Sequence, residues 1–414
     1  DNLIGIYVEG TNGIKGSCSV TPVNWNQDWH RHTVFEYFDI TGKKQFDQGV
    51  NIRIAGNCTR RYAQKSLVVE ADDKYGKNNI NEILFPNKTA TRYHSFILRN
   101  SGNDFNVTLF RDALIQHIAQ RSLEIDFLDY QPTIFYLNGE YWGIQNMREK
   151  ADAEYIETNY GISADDIDLI ENRNTVLDGS YTAFNTYFQT LKSLDRSTPT
   201  AFAHIDTHID VQKYINYLAT QIYICNTDWP DNNQKYWRQV STKSKFRWIL
   251  WDTDFGLGLF QGRSYPTFPS LSYAAGTDPA AFGLPAWSTE HIRYVLENPE
   301  FRQRFIQTLI GVMNTSFGPA NFNEQLGLFQ NRIKDEVPVH KTRWGGDVAD
   351  WNAQIEKLKL FVRERQRYMP QHMAEFFGLG ETLSLCIKAN PAGAASFTLN
   401  GVKSTTGFDN GVYF

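Results

Sequence analysis

Apolar positions follow two regimes along the chain: alternation with a period of two dominates before about residue 150, and spacings of three and four dominate after it. Thr33 to Phe38 alternates as a strand would, Thr41-Gly42 reads as a turn, and Val50 to Ile54 reads as a second strand ending at Gly56. A third strand is predicted from Lys65 to Glu70. A polar stretch, Asp72 to Asn79, separates these from the run Ser95 to Asn100, and then Phe110, Leu114 and Ile118 recur every four residues as the buried stripe of a helix. The sharpest local signal is Asn138-Gly139 between 133–137 and 141–146. Asn-Gly supplies the positive φ angles of a type I′ turn, which predicts a hairpin.

Beyond Glu149 the pattern is helical. Asp210 is a suitable N-cap for a helix whose stripe is Ile215, Leu218, Ile222 and Cys225, and that spacing makes Cys225 a packed core thiol. Two further helices carry Phe301, Phe305, Leu309 and Val312, and Trp351, Ile355, Leu358 and Val362. From Glu381 the texture returns to short alternating runs with turns at Asn400-Gly401 and Asn410-Gly411. The expected class is therefore α+β, with a strand-rich first lobe over 1–150, a helical second lobe over 151–380 and a small β appendage from 381.

With 414 residues the chain is long enough for a large core. Its 41 Lys and Arg against 46 Asp and Glu give a formal charge of −5, which supplies no electrostatic argument for a nucleic-acid partner. No apolar run is long enough to span a bilayer and no leader is visible, so a soluble chain is expected. Cys18, Cys58, Cys225 and Cys386 form no CxxC pair, which argues against a zinc ribbon and leaves disulfides open. The aromatic content of 14% suits a large core and also a glycan-handling surface.

The candidate chemistry is concentrated in two segments, NTDWPDNNQKYW from Asn226 and RWILWDTDFGLG from Arg247. Asp228 and Asn233 stand five apart, the spacing at which a protein kinase catalytic loop places its proton acceptor and a metal-side amide. Trp248 to Trp251 reads as a buried strand that ends in Asp252 and Asp254, and period two would put both carboxylates on one face. Carboxylates at the end of an apolar strand need a partner or a cation. The same residues would also serve as an ordinary Asp- and Pro-containing turn. Upstream, Lys65 shares a face with Leu67 and Val69 and should point inward, where a phosphate would balance it or its stem would snorkel. Gly56 to Arg61 has one glycine and two arginines, which makes it a weak phosphate loop.

Taken in order, IRIAGNCTRRYAQKSL, FILRNSGND, IFYLNGEYWGIQNMREKAD, NTDWPDNN and WILWDTDFG resemble the CotH kinase-like family, a divergent branch of the protein kinases, over most of 20–370. The resemblance implies a two-lobed kinase-like fold with ATP and Mg²⁺ as cofactors. It implies Asp228 as the catalytic Asp, Asn233 on the metal side, Asp252 as the main metal ligand and Lys65 on phosphate, while the period-two geometry lets Asp254 approach the same metal as a secondary ligand. Met147 to Glu149 would then border the adenine. Gln64 stands where the family often has the first of two lysines, so Arg61 or Arg111 would help to balance phosphate charge. The implied partner is a protein with a Ser or Thr acceptor, and the implied address is extracytoplasmic or on the cell surface. Two other functions fit the residues: a metal-dependent glycan enzyme built on the DxD pair, and an idle binding module or adhesin on the same fold.

Overall fold

A computed structural model describes residues 1–260, 265–388 and 396–414. The chain forms two compact units that are not contiguous in sequence. Unit 1 comprises 1–110, 128–162 and 331–351, and unit 2 comprises 111–127, 163–330 and 352–414. Residues 111–127, expected in the first lobe, thus belong to unit 2, as do the C-terminal strands.

Unit 1 is built on a six-stranded antiparallel sheet in the order Arg31–Phe38, Lys44–Ile54, Leu67–Ala71, Ser95–Arg99, Glu140–Arg148 and Tyr130–Leu137. Val50, Ile54, Leu67, Val69, Phe96, Leu98 and Met147 form its core. Asn138 and Gly139 take φ of 52° and 79°, the positive values the hairpin required. A disulfide joins Cys18 to Cys58, tying the short hairpin Ile14–Val23 to the loop after Gly56. One boundary differs from expectation: the third strand begins at Leu67, not Lys65. The Lys65 amide is taken by the Tyr7 hydroxyl at 2.6 Å, and its ammonium turns back to loop carbonyls, so the residue lies outside the ladder.

Unit 2 contains a five-stranded sheet in the order Thr175–Asp178, Ile167–Glu171, Lys235–Gln239, Arg247–Leu250 and Asp126–Phe127, with only the last pair parallel. The helix Val211–Tyr223 starts where predicted, with the Asp210 carboxylate accepting from the Lys213 amide at 3.2 Å. Ile215, Leu218, Ile222 and Cys225 are all fully buried. The C-terminal strands do not hang free. Asn314, at the end of the helix Pro299–Asn314, donates to the Val412 carbonyl at 2.8 Å and accepts from its amide at 3.1 Å.

His291 illustrates how dry this core is. Its Nε2 meets the Tyr187 hydroxyl at 3.0 Å and its Nδ1 the Tyr214 hydroxyl at 2.9 Å, and burial pushes the imidazole down to about 3. The unfolded chain would protonate this histidine near pH 6.5 while the folded one resists, so the stabilisation is full above that pH and drains as pH falls. Between pH 6.5 and 4.5 the wild type should lose about 1.4 kcal/mol per pH unit more than a His291→Gln variant in urea unfolding. Parallel pH profiles for the two proteins would refute this.

Candidate functional site

The exit of the helix Val211–Tyr223 positions the first acidic segment. Cys225 adopts φ of 57°, which turns the chain sharply, and Asn226 returns its backbone amide to the Gln221 carbonyl at 3.2 Å. The Asn226 side chain then accepts from the Asp228 amide at 3.2 Å. Five residues on, Asn233 sits at φ of 56°, a conformation asparagine tolerates, and the loop doubles back on itself. Its Nδ2 donates to the Asp228 carboxylate at 2.8 Å, and the Asn232 amide reaches the same carboxylate at 3.4 Å. The Asp-to-Asn spacing read in the sequence is therefore a direct contact.

The second segment differs from its expected geometry. The strand ends at Leu250, and Asp252 has φ of 50°, so the chain leaves the extended conformation at the first aspartate. Period two no longer applies, so Asp252 and Asp254 do not share the strand face expected of them. Asp252 is half-buried, whereas Asp254 is only 1% exposed. What fixes this loop is a group of contacts the sequence did not announce. The Thr253 amide and hydroxyl both donate to the Asp112 carboxylate at 2.9 Å. Arg111 donates to the carbonyls of Gly256 and Leu257 at 3.2 and 2.8 Å, and the Leu257 amide returns to the Ile224 carbonyl at 2.7 Å. Arg111, expected to assist phosphate, thus directs these donors at the backbone after Asp254. Arg111-Asp112 at the start of the helix Arg111–Ser122 was the only available signal for this clamp.

The electrostatics of Asp228 show that the two segments meet. Burial is the largest influence and the negative charge of Asp252 the next, and together they push the Asp228 carboxyl up to about 6 despite the opposing hydrogen bonds from Asn232 and Asn233. Two mutually repelling carboxylates beside an amide side chain are hard oxygen donors of the kind Mg²⁺ takes. Among the described residues no group of three or more His, Cys, Asp or Glu side chains converges on a metal position. Lys235, which sequence reasoning did not single out, places its ammonium 4.2 Å from the ring centre of Trp251, next in the chain to Asp252.

The other expected residues lie in unit 1. Lys65 is 2% exposed, its ammonium held by the carbonyls of Arg60 and Tyr62 at 2.7 and 3.0 Å and set 3.9 Å from the Trp25 ring centre. Burial lowers it to about 8. Arg61 is exposed beside the Tyr62 ring. Glu149 is buried, which holds its carboxyl above the usual range, and it is engaged by Lys88 at 3.4 Å, by the Asn159 amide and by the Asp129 backbone. Met147 lies inside the sheet, paired on both sides with Leu98 and Gln131. A polar cleft of about 780 Å³ in this unit, bordered by Lys88, Arg92, His94, Glu154 and Asn159, is lined by none of the expected site residues.

Comparison with known proteins agrees with this geometry. A family model described as CotH kinase protein matches residues 52–369, a span that includes every expected site residue. A comparison with curated proteins found no match. Because the matched span covers most of the chain and contains the Asp228–Asn233 contact facing Asp252, the chain belongs to the CotH kinase family.

Proposed function

We propose that this protein is a Mg²⁺-dependent phosphotransferase that moves the γ-phosphoryl group of ATP to a Ser or Thr hydroxyl of a protein substrate. The observation that carries the reading is the Asp228 carboxylate, bonded by Asn233 at 2.8 Å and raised to about 6 by burial and by Asp252. A carboxylate with that value is ionised at neutral pH and still basic enough to take a proton in the transition state. The acceptor oxygen forms its bond to the γ-phosphorus as the bond to ADP breaks, and Asp228 orients the hydroxyl and receives its proton. Asn233 keeps that carboxylate from rotating. Asp252, Asn233 and, behind them, Asp254 would hold Mg²⁺, which when bound neutralises phosphate charge. The family membership suggests a kinase-like activity and supports this chemistry.

A calorimetric titration with ATP and Mg²⁺ tests the reading directly. Binding is expected, and at a hundredfold excess of nucleotide over its dissociation constant the native state should gain about 2.7 kcal/mol. Asp252→Asn should weaken Mg²⁺-dependent binding more than Asp254→Asn, since Asp252 is the more accessible carboxylate and the one whose field reaches Asp228. No binding at millimolar nucleotide would overturn the proposal. A larger loss at Asp254 would reverse the ranking.

One observation favours a second reading, an idle binding module on the same fold. The Lys65 ammonium is already satisfied by two carbonyls and an aromatic ring, and a phosphate would have to draw it out of that cage. We also propose an extracytoplasmic address, supported by the Cys18–Cys58 disulfide. Among the described residues no helix is long and apolar enough to cross a membrane.

A further inference from the structure

Behind Asp228 lies a polar arrangement that the proposed chemistry does not use. Tyr217 and Gln221 stand one turn apart on the helix Val211–Tyr223, and both are fully buried. The Gln221 Oε1 accepts from the Asn226 Nδ2 at 3.0 Å, and Asn226 in turn accepts from the Asp228 amide through its Oδ1 at 3.2 Å. On the other side of Asp228, Trp229 is 1% exposed and its ring meets that of Tyr217 edge-on, with centroids 6.0 Å apart. The Gln221 Nε2 and the Trp229 Nε1 lie near the Tyr217 hydroxyl without closing a hydrogen bond to it. None of these three atoms closes a regular hydrogen bond, with one another or with any other described residue. Buried polar atoms are costly to leave unmet, and here three of them share one pocket around the Tyr217 ring.

We infer that Gln221 is a positioning residue for Asp228: its amide oxygen holds Asn226, whose side chain accepts from the Asp228 amide, while its amide nitrogen shares a buried polar pocket with the Tyr217 hydroxyl and the indole of Trp229, the next residue, fixing the catalytic loop to the helix. The side chain is suited to this because one end accepts and the other donates, so a single group serves both flanks. Neither leucine, which has no polar atoms, nor glutamate, which lacks the N–H, can do both. Gln221 touches neither substrate nor nucleotide in the proposed reaction and acts only through the geometry of Asp228. The inference deepens the phosphotransferase reading and rests on it for its kinetic part.

The experiment compares wild type, Gln221→Leu and Tyr217→Phe, the last keeping the ring and removing only the hydroxyl, so that one variant remains folded if the other does not. Hydrogen exchange of the Asp228 amide reads the brace without any activity. It should quicken at least tenfold in Gln221→Leu and severalfold in Tyr217→Phe, while amides in the middle of the helix Val211–Tyr223 stay protected. Phosphoryl transfer to a generic protein acceptor should fall at least tenfold in kcat in Gln221→Leu with the KM for ATP within twofold of wild type, a split that general destabilisation would not produce. Unchanged exchange at Asp228 in both variants overturns the brace whatever the kinetics. Quicker exchange with undiminished kcat overturns the positioning role. An inactive wild type that still shows quickened exchange in the variants would instead sink the phosphotransferase reading and leave the brace standing.

Discussion

Asp228→Ala is expected to lower phosphoryl transfer by roughly two to four powers of ten while leaving Mg²⁺–ATP affinity within a few-fold of wild type. The separation follows from the local geometry. Asp228 holds its position through Asn233 at 2.8 Å and through the Asn226 contact to its amide, whereas metal binding is assigned chiefly to Asp252. Removing the side chain takes one negative charge from beside Asp252, which should weaken cation binding only modestly because the proposed ligands stay in place. Asp228→Asn should be nearly as inactive, because an amide in that position keeps the shape and cannot accept the proton. Radiolabel transfer and a parallel nucleotide titration check both halves. Activity equal to wild type would take Asp228 out of the mechanism.

Arg365→Met should be the most damaging single change to unit 2, costing roughly 3–5 kcal/mol in denaturant unfolding. This arginine, fully buried in the helix Val348–Phe377, gives its Nε to the Tyr223 carbonyl at 3.1 Å and its Nη1 to the carbonyls of Pro266 and Phe268 at 2.7 and 2.9 Å. Its Nη2 serves the Ile222 carbonyl at 3.1 Å and the Ser270 hydroxyl. All five guanidinium donors are thereby used. Two of the acceptors belong to the last turn of the helix Val211–Tyr223, whose carbonyls have no partner within the helix and attract a cation. Methionine fills the volume and removes the donors to Tyr223 and Pro266, while the Ile222 carbonyl keeps the Ser270 hydroxyl at 2.6 Å. Lysine, with three donors and no planar fork, should recover less than half of the loss. A cost under about 1 kcal/mol for Arg365→Met would show that water replaces the guanidinium without penalty.

Much of this protein could be read along the chain because local physics fixed it. The period of two in Thr33 to Phe38, the Asn138-Gly139 turn, the Asp210 cap and the stripe from Ile215 to Cys225 all depend on neighbours a few residues away. The Asp228–Asn233 pairing was legible for the same reason, since a five-residue loop brings its own ends together. The mutual geometry of Asp252 and Asp254 was not legible, because the positive φ at Asp252 belongs to a loop held by Asp112 and Arg111, more than a hundred residues upstream. Strand pattern carries no information about such a partner.

Lys65 makes the same distinction from the other direction. Its alternation with Leu67 and Val69 pointed to a buried side chain, and Lys65 is buried, but as a loop residue ahead of the strand and not through that alternation. Only the folded unit decided what meets the charge: the Arg60 and Tyr62 carbonyls and the Trp25 ring, in a loop held to the N-terminal hairpin through Cys58. Sequence by itself thus determined most of the elements and the contact between Asp228 and Asn233, each set by short-range spacing. The tertiary structure alone decided which polar groups satisfy one another. A buried charge takes whatever partner the assembled fold brings within about 3 Å, and that choice is made by contacts distant in sequence.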